Sequence, residues 1–84
     1  MFGSQYYSVT WPVKPEGLVS RYFRAASPDE AVQASRDLYV RMNDGYTIDY
    51  TAEPEVWLLR RPYGVRSKHV QGPCYDDRLP ATPH

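Results

Sequence analysis

Apolar and polar positions alternate near the start of this chain. From Gln5 to Trp11, Q-Y-Y-S-V-T-W, the side chains of Tyr7, Val9 and Trp11 fall on one side and those of Tyr6, Ser8 and Thr10 on the other. A period of two in aromatic and β-branched residues predicts a half-buried strand. PVKPEG, residues 12–17, holds two prolines and a glycine and predicts a loop of hairpin-compatible length. LVSRYFRA, Leu18 to Ala25, predicts the returning strand. Val19, Phe23 and Ala25 would share one face, and Leu18, Ser20, Tyr22 and Arg24 the other.

The period then changes. ASPDEAVQASRDLYVRM, residues 26–42, opens with S-x-x-E, a capping box in which Ser27 accepts from the Glu30 amide and Glu30 reaches back to Ser27. Pro28 suits the first helical position, and Asp29 and Glu30 place negative charge at the positive end of the helix dipole. Ala31, Val32, Ala34, Leu38, Tyr39 and Met42 recur at spacings of three and four, with Ser35 small enough to join them. Gln33, Arg36, Asp37 and Arg41 are expected largely on the opposite side. Asn43-Asp44-Gly45 would end the helix, with Gly45 in a left-handed cap.

Alternation returns at YTIDYT, Tyr46 to Thr51, which predicts a third strand with Tyr46, Ile48 and Tyr50 on one face. AEPE reads as a turn and VWLLRR, Val56 to Arg61, as a fourth strand. The fold class is therefore α+β: a small antiparallel sheet of about four strands in ββαββ order, with one amphipathic helix packed on one face. Residues 1–61 make the single domain. Residues 62–84 make a tail with four of the eight prolines, expected to pack on the domain or on a partner. One helix covers one face of such a sheet, which leaves the second face open or covered by something else.

Composition changes this picture in two respects. Eight Tyr, two Trp and two Phe in 84 residues are many aromatics for so short a chain. Aromatics bury large area with few side chains, and binding surfaces also favour them. The formal net charge is zero, which argues against generic nucleic-acid affinity and against acidic mimicry of DNA. The charges are nevertheless segregated. Asp44, Asp49, Glu53 and Glu55 lie in a stretch without a base, and Arg60, Arg61, Arg66 and Lys68 in one without an acid. Either the two stretches neutralise each other across a loop, or the second forms a basic patch for an acidic partner. Cys74 is the single cysteine, which fits a reducing, cytoplasmic setting. No signal peptide is expected from MFGSQYYSVTW, and no apolar run reaches the length that spans a membrane.

Candidate chemistry is sparse. His69, Cys74, Asp76 and Asp77 lie close in sequence and His84 follows, but one Cys and two His in a proline-rich tail fall short of a structural zinc set. A Cys–His nucleophile is the sharper reading and a polar tail the plainer one. Asp49 with Glu53 or Glu55 could pair as acid and base, although hairpin acids are usually solvated. Gly17, Gly45, Gly64 and Gly72 stand singly, so no phosphate loop is present. No catalytic residue, cofactor or metal is expected. The aromatic and basic set, Tyr6, Tyr22, Tyr46, Tyr50, Arg21, Arg24, Arg60 and Arg61, offers more. Such residues on a sheet can stack bases and hold phosphates. They can equally form cross-strand pairs in a small core.

A chain under ninety residues, with ββαββ order, a lone helix opening SPDEAVQAS and no catalytic set, resembles the small proteins of phages and mobile elements, anti-CRISPR proteins among them. The resemblance covers about residues 5–61 and rests on size and architecture, without a diagnostic motif. It implies a non-catalytic inhibitor that binds a host protein or ribonucleoprotein complex, such as a CRISPR surveillance complex, in the host cytoplasm. The zero net charge departs from the acidic DNA-mimicking members and favours a protein surface. Contacts are expected from the open sheet face and LRRPYGVRSKH: Arg60, Arg61, Tyr63, Arg66 and Lys68, with Arg21, Tyr22 and Arg24. The alternatives are a sheet module for single-stranded nucleic acid and a small subunit of a larger assembly. The chain would act as a monomer or as a homodimer through an open strand edge.

Overall fold

A computed structural model describes residues 4–42, 48–60 and 65–75. Four strands and one helix follow one another as β1 (Gln5–Pro12), β2 (Leu18–Ala25), α1 (Pro28–Met42), β3 (Glu55–Arg60) and β4 (Val65–Gln71). The strands form one sheet in the order β2-β1-β3-β4, and every neighbouring pair is antiparallel. The α+β class read from the sequence holds.

β1 is central, flanked by β2 and β3, and the register of both pairs follows its alternation. Tyr7, Val9 and Trp11 are buried against the helix. They lie opposite Phe23, Arg21 and Val19 on β2, and Tyr7 and Val9 lie opposite Leu58 and Val56 on β3. The β1–β2 loop is closed by the Val13 amide donating to the Gly17 carbonyl at 3.0 Å. Gly17 has φ +120°, a conformation that side chains rarely adopt.

The helix is capped nearly as its sequence predicts. The Glu30 amide donates to Ser27 Oγ at 3.2 Å, and Glu30 Oε1 accepts from the Ala26 amide, one residue before the expected donor, at 3.1 Å. Ala31, Ser35 and Tyr39, four residues apart, form the buried stripe. Ser35 does more than fit: its hydroxyl accepts from Trp11 Nε1 at 2.9 Å and donates to the Val32 carbonyl at 2.7 Å. That satisfies the polar end of a fully buried indole.

Arg36 departs from expectation. It is half-buried, with its guanidinium 5.3 Å from the Trp11 ring centre and 5.6 Å from that of Tyr50. Its planar cation packs beside both rings.

VWLLRR is a strand as expected, β3, which begins one residue earlier at Glu55, with residue 61 outside the described residues. The strand expected at 46–51 is corrected. Of the stretch expected as a third strand, residues 46 and 47 lie outside the described residues, as does the expected Gly45 cap. Ile48 makes only an isolated bridge with Val13. The chain then turns, because Asp49 Oδ1 accepts from the Thr51 amide at 3.1 Å and from the Thr51 hydroxyl. This is local side-chain bonding that competes with a ladder. The alternation of Ile48 and Tyr50 reflects packing on the core rather than strand pairing. The missing strand comes from Val65–Gln71, inside the segment read as a tail, so the second hairpin is β3–β4. The sheet therefore extends past the expected domain boundary at residue 61.

Candidate functional site

The face of the sheet away from α1 gathers residues from all four strands. Tyr6, Ser8 and Thr10 come from β1, Ser20, Tyr22 and Arg24 from β2, Glu55, Trp57 and Leu59 from β3, and Arg66 and His69 from β4; the registers bring them side by side. Its floor is small and polar. Thr10 donates to Ser20 Oγ at 2.8 Å, and the hydroxyls of Ser8 and Ser20 lie 3.3 Å apart. Ser8 and Thr10 are buried although α1 lies on the other face.

At one end lies a buried carboxylate. Glu55 is 0% exposed. Its Oε1 accepts from the Tyr75 amide at 2.8 Å, and its Oε2 accepts from Trp57 Nε1. Arg66 approaches Oε2 at 3.8 Å while its guanidinium sits 4.9 Å from the centre of the Trp57 ring. The His69 ring lies 5.2 Å from that of Trp57, tilted by 50°. Hydrogen bonds to both oxygens are what allow a carboxylate to stay buried.

Two irregularities in β4 assemble this cluster. Arg66 and His69 are three residues apart and would point to opposite faces of a regular strand. Opposite β3, however, the register slips between Val56 and Trp57 and again between Leu58 and Leu59. Two residues of β4 then face one of β3, the pattern of a β-bulge. The second slip resets the phase, so Arg66 and His69 both meet Trp57. After β4 the chain folds back over this end. Gly72 has φ +80°, and a Cβ there would lie 1.9 Å from the Pro54 carbonyl oxygen. Only glycine fits so close an approach. Tyr75 then reaches Glu55 with its amide and the Glu53 carbonyl with its hydroxyl, at 2.6 Å.

The other end of the face is exposed. Tyr22 is 56% exposed and Tyr6 41%. Arg24, cross-strand from Tyr6, holds its guanidinium 5.9 Å from the Tyr6 ring centre.

The residues expected to form one basic patch are thus divided. Tyr22 and Arg24 sit at the β2 side of this face and Arg66 at the β4 side. Arg21 lies on the helix side, 5.9 Å from the ring centre of Tyr39. Lys68 and Arg60 also lie on the helix side, cross-strand from Leu58 and Val65, and both are exposed. Arg61 and Tyr63 lie outside the described residues. The acidic and basic stretches do meet, through Glu55 and Arg66. In the sequence Glu55 reads as one acid of a stretch that could neutralise the basic one, and as the end of the AEPE turn; Trp57 and His69 do not read as partners of the basic residues. The signal for Glu55 is its place just before VWLLRR, in phase with Trp57.

Chemistry of the catalytic kind finds partial material. Cys74 Sγ lies 3.7 Å from His69 Nε2. Both oxygens of Glu55 are already engaged in holding the fold. Asp76, Asp77 and His84 lie outside the described residues, and among the described residues no three His, Cys, Asp or Glu are placed to hold a metal ion. No helix among them is long and apolar enough to cross a membrane.

Fold and site together define an α+β domain with one covered sheet face and one face of aromatic, hydroxyl and arginine side chains. Comparison with protein-family models, with curated proteins and with solved structures found no match for this chain.

Proposed function

We propose that this chain is a small non-catalytic binding protein that docks on a protein surface through the sheet face opposite α1. The observation that carries this reading is the exposed group Tyr6, Tyr22 and Arg24, held on a rigid sheet. Tyr and Arg are the residue types that dominate interface energetics, and a preformed sheet loses little freedom on binding. The buried Glu55 cluster supports it further by fixing Trp57 and Arg66 on the same face. A copy bound in this way would inhibit by occlusion, blocking whatever the covered surface does. On the resemblance in size and architecture to small phage proteins, the proposed partner is a host protein or ribonucleoprotein, such as a CRISPR surveillance complex.

The test is capture from lysate by the tagged protein, with and without nuclease, alongside the double variant Tyr6→Ala/Tyr22→Ala. A stoichiometric protein partner that survives nuclease and is lost with the variant is expected. Equal capture by the variant removes the face from the reading.

Single-stranded nucleic acid is the second reading, drawn from Tyr22 beside Arg24 on the open sheet. It predicts affinity that falls steeply with salt and a catch that vanishes with nuclease. Against it stand the zero net charge and Trp57, whose ring has Arg66 over it and is thus poorly placed to stack a base.

A further inference from the structure

The two edges of the sheet are built differently. β4 carries two register slips. Bulges on an edge are one way in which sheets discourage further pairing. β2 has no such interruption. All eight of its residues pair with β1 in one continuous register, from Leu18 opposite Pro12 to Ala25 opposite Gln5. Among the described residues nothing hydrogen-bonds to its outer side, and Ser20, Arg21, Tyr22 and Arg24 are exposed. An unpaired row of backbone donors and acceptors on a regular edge is a template for another strand.

The charges on that edge select the occupant. β2 carries Arg21 and Arg24 and no acid. Arg21 projects on the helix side and Arg24 on the open side, so an added strand would meet a cation on each of its faces. Among the described residues neither forms an ion pair. Each instead lies beside a tyrosine ring, Tyr39 and Tyr6, which steadies the guanidinium and leaves its charge uncompensated. A second copy pairing through β2 would bring two more arginines and no acid to the same ladder, and like charges across a ladder are unfavourable. A strand with acidic residues on both faces would complete it.

We propose that β2 is a β-augmentation site that accepts an extended acidic peptide segment of a protein partner. This rests on the protein-binding reading and narrows it by naming the chemistry of the segment. Backbone hydrogen bonds would supply the register, and Arg21 and Arg24 the selectivity.

The probe is a fluorescently labelled peptide of the length of β2, alternating valine with glutamate pairs, measured by anisotropy. Three competitors accompany it: the same peptide N-methylated at alternate residues, its lysine counterpart, and a single-stranded oligonucleotide. The acidic peptide is expected to bind. The N-methylated form, which keeps the charge but loses strand donors, is expected to bind about tenfold or more weakly. The Arg21→Glu/Arg24→Glu variant, checked for folding by circular dichroism, is expected to lose the acidic peptide. Equal binding of the N-methylated peptide, unchanged binding by the variant, or preference for the oligonucleotide would each overturn the proposal. So would a dimer in sedimentation that the same variant dissolves. No peptide binding while partner capture still depends on Tyr6 and Tyr22 overturns the edge site alone and leaves the face reading standing.

Discussion

Glu55→Gln removes one oxygen acceptor from the buried end of the open face and changes almost nothing in volume. Among the described residues, the Tyr75 amide meets Oε1, and Trp57 Nε1 with Arg66 meets Oε2. A glutamine offers one acceptor and adds an amide with donors of its own. Whichever way the amide is turned, a donor meets a donor. Leaving one such group unsatisfied costs about 1–3 kcal/mol. The lost attraction to Arg66 adds little, because that contact is 3.8 Å long and the arginine side chain is 33% exposed; pairs of that kind are worth about 0–1 kcal/mol. Relief from burying a charge acts in the opposite direction and offsets part of the loss.

The net expectation is a destabilisation of about 2 kcal/mol, set against a total of roughly 4–12 kcal/mol for a domain of this size. With an m-value of ~1 kcal/mol/M in urea, the unfolding midpoint should fall by about 2 M. Tryptophan fluorescence reads the transition, since Trp57 is a member of the cluster and Trp11 sits in the main core. Arg66→Gln, measured beside it, should cost less than about 1 kcal/mol. An unchanged midpoint for Glu55→Gln refutes the reasoning. So does the reverse order of the two variants, which would make the ion pair, rather than the indole and amide hydrogen bonds, the source of stability.

Three further substitutions probe the framework. Gly72→Ala should cost more than about 2 kcal/mol, because a side chain at φ +80° is strained and its Cβ would overlap the Pro54 carbonyl; urea denaturation measures it, and a neutral result would show that the return over Glu55 is not tightly held. Ser35→Ala should cost about 1–2 kcal/mol, the loss of the acceptor for buried Trp11 Nε1 being partly offset by the better helix propensity of alanine; a stabilised variant would contradict the accounting. Asp49 should titrate below the ordinary aspartate range, chiefly because the Thr51 hydroxyl donates to it, against an opposing effect of burial, with further help from the Thr51 amide and Lys14. A depressed folded value means that the contribution is present above about pH 4 and is lost as pH falls through the folded midpoint. Carboxyl NMR on Thr51→Val should show the Asp49 midpoint moving up, and no movement would remove the hydroxyl as the cause.

How legible each part was depended on whether one local period decided it. β1, β2 and α1 were readable because Tyr7, Val9 and Trp11, then the S-x-x-E box and the Ala31–Ser35–Tyr39 spacing, each point to one structure. YTIDYT misled because alternation reports burial, not pairing: Ile48 and Tyr50 are packed on the core while Asp49 bends the chain between them. VRSKHVQ hid a strand for the opposite reason. It lies at an edge, mostly exposed, and its two register slips scramble any period of two. The candidate face suffered from the same cause. Arg66 and His69 meet at Trp57 only through a bulge, a feature of pairing between strands that no reading of one strand reveals. Tyr22 and Arg24, on a regular strand, were placed on one face correctly.

The same contrast bears on what the face does. A sheet with one helix must manage its second face without a second layer, and this chain does so unevenly. Toward β4 it closes the face with Glu55, Trp57, Arg66 and the returning Gly72–Tyr75 segment, consuming the aromatic and the cation in internal contacts. Toward β2 it leaves Tyr6, Tyr22 and Arg24 outward, next to an edge without a bulge. If stability alone shaped the face, both ends would be expected to turn polar or closed, since exposed tyrosines on a regular edge invite unwanted pairing. The β4 end ties the sheet together through buried contacts, and on the proposed reading the β2 end is the one that meets a partner. Substitutions at Tyr22 and Arg24 should accordingly change binding while leaving the urea midpoint nearly unmoved, and those at Glu55 and Trp57 should lower the midpoint first. Binding lost only in step with stability, at both ends alike, would show that the face has no such division.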